Sequence, residues 1–164
     1  MNEILPHIQR VDALREHIVS FFNLNRFVTA SFNLHGLSTD QGRKRLRFFL
    51  RDTEKKLFGK RVNHLPATER LDGIIFPEHI GSNFHYHMTL QVPPSKLEQF
   101  DSLAPKVWER VFDAGSIHIQ NPLTHNDWKK VVSYVTKESH KELNFENFVL
   151  LREFWSSNSL KSKH

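Results

Sequence analysis

One stretch constrains this chain more than any other. From Phe84 to Val92 it alternates without a fault: Phe84, Tyr86, Met88, Leu90 and Val92 fall on one face, and His85, His87, Thr89 and Gln91 on the other. A period of two marks a strand with one buried face. Both imidazoles must then project the same way, roughly 6–7 Å apart at the backbone. Two ring nitrogens at that spacing can converge on one ion at about 2 Å each. A plain alternative is a polar sheet face that carries two histidines by chance, since the chain has eleven.

A metal centre needs a third ligand. Leu71 to Pro77 reads as a strand, and Glu78 to Asn83 as a loop turning it back into the histidine strand. Glu78 sits at the mouth of this hairpin and can face His85 or His87 across the pair. His79 competes for the role, and a solvated loop glutamate is the plain alternative. Mixed nitrogen and oxygen donors with open positions suit Mn²⁺ or Mg²⁺ acting as a Lewis acid on a phosphate oxygen. The chain has no cysteine, which excludes thiolate sites, disulfides and cysteine nucleophiles.

About fifty residues on, a helix is expected from Asp127, with Asn126 as its cap. At about 100° per residue, Val131, Val132 and Val135 fall within about 60° of Trp128 and form an apolar stripe. Tyr134 lies beside that stripe. Lys130, Tyr134 and Lys137 share a second stripe at i, i+4 and i+7 spacing. The tyrosine is thus set between two ammonium groups that favour its phenolate and attract phosphate. On most helices such a residue is only a boundary tyrosine. Here the chain has two tyrosines, and strand parity turns Tyr86 away from the histidines.

The other elements complete an α+β pattern. Residues 6–22 read as an amphipathic helix with Ile8, Val11, Ile18 and Phe22 packing inward. Phe27 to Leu34 alternates as a strand, with Thr29, Ser31 and Asn33 on its polar face. Ser38-Thr39-Asp40-Gln41 resembles a capping box opening a helix to Phe58, which Gly59 ends. Ser95-Lys96-Leu97-Glu98 resembles a second box, and Pro105 is expected to break or restart the helix that follows. Ser116 to Gln120 reads as a short strand. Phe154 and Trp155 suggest a terminal helix, with a frayed tail after them. The order predicts a ferredoxin-like βαββαβ core: an antiparallel sheet with helices on one face and the tyrosine helix over the histidine face.

His85-Tyr86-His87 followed by Tyr134-Val135-Thr136-Lys137 resembles the HUH endonuclease superfamily, and within it the single-tyrosine Rep initiators of rolling-circle replication. The resemblance covers roughly residues 27–138. It implies one endonuclease domain over 1–164: an N-terminal helical extension (1–25), a catalytic core (27–140), and a C-terminal helix and tail (141–164). By this resemblance His85, His87 and Glu78 hold Mn²⁺ or Mg²⁺, Tyr134 is the nucleophile and Lys137 its motif lysine. Thr29, Ser31 and Asn33 fall on the family's first motif, and with Lys130 they are expected to touch DNA. The implied activity is sequence-specific nicking and rejoining of single-stranded DNA through a 5′-phosphotyrosine. The implied setting is plasmid, phage or virus replication, in a prokaryotic cytoplasm or a eukaryotic host nucleus.

Charge agrees with a polyanionic partner: the net charge is +5 and the pI near 9.6. The basic run Arg43-Lys44-Arg45 with Arg47 and Arg51 reads mainly as a solvated helix face. No apolar run is as long as a membrane span, and the start, with Glu3, does not resemble a signal peptide. No GxxxxGK[ST] phosphate loop is present, so unwinding would fall to a separate helicase. Three rivals stay open: a single-tyrosine transposase of the same superfamily, a metal-dependent hydrolase that activates water, and a non-catalytic single-stranded nucleic-acid-binding module.

Overall fold

The alternating runs pair with one another as their parity requires. In the computed structural model, which describes residues 7–137 and 148–155, β1 (Arg26–Ser31) and β3 (His85–Gln91) lie side by side. β4 (Ser116–Gln120) flanks β1, β2 (Asp72–Glu78) flanks β3, and β5 (Val149–Leu150) adds to the far side of β2. The order is β4-β1-β3-β2-β5, and every pair is antiparallel. The helices are α1 (His7–Phe21), α2 (Thr39–Phe58), α3 (Leu97–Val111) and α4 (His125–Val135). This is the expected α+β arrangement with a ferredoxin-like core, extended by one strand.

Each face of the sheet has its own apolar cluster. Val28, Ala30, Tyr86, Met88 and Ile75 pack against Leu46, Phe49 and Leu50 of α2 and against Phe100, Val107 and Trp108 of α3. On the opposite face Ile74 and Phe76 of β2 meet Ile18 of α1, Phe22 and Val132 of α4. The tyrosine helix therefore lies on the histidine face, as the element order predicts, and α1 lies beside it. The α2 capping box forms as expected, between Ser38 and Gln41. The chain leaves α2 at Gly59, whose φ of 80° favours glycine.

Six expectations are corrected. β1 stops at Ser31 instead of Leu34: Asn33 takes a φ of 54°, which asparagine tolerates, and Leu34 is left 47% exposed. Ser95 caps nothing; a 3₁₀ turn over Pro94–Lys96 runs directly into α3. Pro105 does not break α3, because it lies on the solvent face, where water can satisfy the carbonyl it leaves unpaired. Thr124, not Asn126, caps α4, because Asp127 then reaches back to the Thr124 amide at 3.1 Å and completes a box. Around Phe154 there is a strand and a 3₁₀ turn (Leu151–Phe154) instead of a helix. The free edge of β2 offers unpaired backbone groups there, and Leu151, Phe154 and Trp155 bury against the α2 side. The tyrosine helix, read as running on to Glu138, ends earlier, at Val135, where the Thr136 amide closes on the Val132 carbonyl. Residue 6, the side chain of Ile8, and the segments 138–147 and 156–164 lie outside the described residues.

Candidate metal centre

Antiparallel pairing of β2 with β3 sets Glu78 directly opposite His85 and Phe76 opposite His87. Glu78 is the last residue of β2, so its side chain leans over the start of β3 on the histidine face. Its Oε2 lies 2.8 Å from His85 Nε2 and 2.7 Å from His87 Nε2. The two Nε2 atoms are 3.2 Å apart. These three are the one group of histidine, aspartate or glutamate side chains among the described residues able to hold a metal ion. The choice between Glu78 and His79 is thereby resolved: His79 is 57% exposed, and its Nε2 comes no nearer than 3.8 Å to Glu78 Oε1.

The donor set fits a cation on chemical grounds. His85 Nδ1 is 2.9 Å from the Asn83 carbonyl, an atom that only accepts, so this nitrogen carries the proton. In the neutral ring Nε2 is then a lone pair facing a carboxylate oxygen. Such an arrangement calls for a positive charge between them, a proton or a metal ion. Burial pushes the His87 pKa below its ordinary value against the pull of Glu78, which keeps that ring neutral and able to ligate. Burial opposes ionisation of Glu78, but the hydrogen bond from the Lys137 ammonium, together with the facing His87 and His85 rings, outweighs it and brings its pKa down to about 2. The carboxylate is therefore charged throughout the physiological range.

Tyr134 stands beside this group. Its ring centroid is 5.4 Å from that of His87, at 75°, and the side chain is half exposed. Lys137 links the two: its Nζ is 2.6 Å from Glu78 Oε1 and 4.2 Å from the centre of the Tyr134 ring. The Glu78 hydrogen bond raises the Lys137 pKa, so it stays an ammonium. Lys130 does not join them; it is exposed, and its charge is felt by Asp127 at the start of the helix.

The three first-motif residues separate. Thr29 pairs with His87 across the strands, and its Oγ1 is 3.1 Å from His87 Nδ1. Ser31 is half-buried opposite His85. Asn33 donates to the Ala114 carbonyl at 3.1 Å and lies 3.2 Å from Ser116 Oγ, so its amide braces the start of β4. Two contributors went unnoticed in the sequence. The Phe27 ring stacks on His87, with centroids 5.5 Å apart. Arg15 Nε donates to Thr136 Oγ1 at 2.8 Å and ties α1 to the end of α4. Strand parity could have found Phe27, whereas nothing local points to Arg15.

No family model, curated protein or solved structure matches the chain. Among the described residues, no helix is long and apolar enough to cross a membrane.

Proposed function

We propose that this protein nicks and rejoins single-stranded DNA through a covalent phosphotyrosine, in the manner of the HUH single-tyrosine replication initiators that its motifs resemble. The observation that carries this reading is the approach of Tyr134 and Lys137 to the Glu78–His85–His87 group. A water-activating hydrolase has no need of a half-exposed tyrosine against its metal ligand.

His85, His87 and Glu78 would hold a Mn²⁺ or Mg²⁺, which when bound would supply Lewis-acid polarisation of a phosphate oxygen. Tyr134 Oη attacks phosphorus and gives its proton to water. The new bond joins Oη to phosphorus; the bond that breaks joins phosphorus to the 3′-oxygen, which leaves and takes up a proton from water. Lys137 offsets the negative charge that builds up beside the tyrosine. The adduct keeps the bond energy, so a later 3′-hydroxyl can reverse the step and join strands. Only single-stranded or locally melted DNA, such as a hairpin loop, reaches such a site. The net positive charge favours that polyanion, and a separate helicase would supply the strand.

The test is covalent capture. The protein is mixed with a random single-stranded DNA pool and Mn²⁺, denatured in detergent and run beside Tyr134→Phe. A DNA-shifted band that requires both metal and Tyr134 is expected. A band that persists in Tyr134→Phe rules the nucleophile out. Tight binding of the pool with no band from the wild type favours the non-catalytic binding module.

A further inference from the structure

The two histidines of the metal centre are held from behind by different chemical groups. His85 Nδ1 faces a backbone carbonyl, that of Asn83, at 2.9 Å. A carbonyl only accepts, so His85 is fixed in the tautomer whose Nε2 is free for a metal. His87 Nδ1 faces the Thr29 hydroxyl at 3.1 Å. A hydroxyl both donates and accepts. It accepts from Nδ1–H when Nε2 is a ligand, and donates to Nδ1 when Nε2 carries the proton toward Glu78, 2.7 Å away. His87 is only 5% exposed, so water cannot readily take over this partnership.

We infer that Thr29 is a positioning residue of the metal centre, whose hydroxyl keeps His87 hydrogen-bonded in both tautomers and aims its Nε2 at the cation. This deepens the metal-site part of the proposed function and rests on it. Two residues of β1 share the task. Phe27 stacks on the His87 ring at 26° and sets its plane. Thr29, across the strand pair from His87, fixes which nitrogen points forward. The side chain expected to read DNA is turned instead to the ligand's far nitrogen. Outer partners of this kind raise ligand basicity and lock ring orientation, and their loss commonly weakens metal binding far more than it disturbs folding.

The experiment needs no DNA. Mn²⁺ alone is titrated calorimetrically into the wild type, Thr29→Val and Thr29→Ser, with thermal unfolding of each metal-free protein measured alongside. Valine keeps the branched shape that suits a strand and removes the hydroxyl. The expected result is Mn²⁺ binding weakened about 10- to 100-fold in Thr29→Val, with most of the affinity restored in Thr29→Ser. Wild-type affinity in Thr29→Val overturns the inference. So does a serine variant as weak as the valine one, because shape would then be the cause. A wild type that binds no Mn²⁺ is a different failure: it overturns the metal-site reading, and this inference with it.

Discussion

Replacing Arg70 with methionine is expected to destabilise the protein by leaving a buried charge without its partner. Arg70 is 1% exposed and Glu54 is 5% exposed. The guanidinium pairs with Glu54 through Nε, at 3.4 Å from Oε1, and through Nη2 to Oε2. It also lies 4.0 Å from the centre of the Trp155 ring. Methionine keeps most of the apolar stem, so little of the effect is cavity. Removing one member of a buried ion pair costs about 3–5 kcal/mol, whereas removing both charges is close to neutral. At about 2–4 °C per kcal/mol for a chain of this size, the single variant should melt roughly 10 °C lower. Glu54→Gln combined with Arg70→Met should recover most of that loss. The pH dependence has a definite sign. Burial raises the Glu54 pKa above its ordinary 4.5, against the opposing pull of Arg70. The folded state thus holds a proton that the unfolded state has already lost, and stability falls as the pH rises from 4.5 through the raised value. Without Arg70 the pKa rises further, so the deficit relative to wild type should be smaller at pH 5 than at pH 7.5. Urea unfolding of the wild type, both single variants and the double variant at the two pH values measures this cycle. A double variant as unstable as Arg70→Met, or a penalty indifferent to pH, would mean that shape and not charge sets the cost.

Other outcomes follow from the same geometry. Gly73 has a φ of 147°, and an added Cβ would lie 2.0 Å from the Thr89 carbonyl oxygen of the neighbouring strand. Gly73→Ala should therefore cost about 3 kcal/mol or more and loosen the pairing that holds Glu78 opposite His85; an unchanged melting temperature would refute this. His85→Ala and His87→Ala should each abolish calorimetric Mn²⁺ binding, and full affinity in either would remove that residue from the ligand set. Glu78, with its pKa brought from 4.5 to about 2, contributes stability that is present above pH 4.5 and lost as the pH falls toward 2. Glu78→Gln should accordingly flatten the acid limb of metal-free unfolding across that window. Lys137→Ala should slow adduct formation while the protein still binds Mn²⁺, since Lys137 touches Glu78 but is not in the donor set; equal adduct rates would remove it from the chemistry.

Parity and capping were the legible features. Strict alternation from Phe84 to Val92 was enough to turn both imidazoles one way, and a hairpin brings its two strands together locally, so Glu78 could be named from nearby sequence. The start of α4 was harder. Thr124 and Asn126 both suit a cap, and only the reach of Asp127 decides between them. Pro105 is not legible from sequence, because its cost depends on whether the orphaned carbonyl meets water or protein, a tertiary fact. β5 is two residues long and exists only because β2 has a free edge. Alternation places Thr29 on the polar face, but its partner is decided by the register of β1 on β3, and strand composition carries no trace of that.

The place of α1 bears on where this protein can be cut. Residues 27–138 carry every recognisable motif and would be the natural boundaries of a trimmed version. Yet Ile18 and Phe22 supply part of the apolar cluster that seats Val132, and Arg15 grips Thr136 between Tyr134 and Lys137. A fragment beginning at Phe27 would keep both histidines and Glu78 on their hairpin, and so keep the three donors of the candidate metal centre. It would uncover Ile74 and Phe76 and release the helix that presents the tyrosine. If the proposed function holds, trimming at the motif boundary would keep metal binding and loosen the nucleophile, and two activities that look like one would separate.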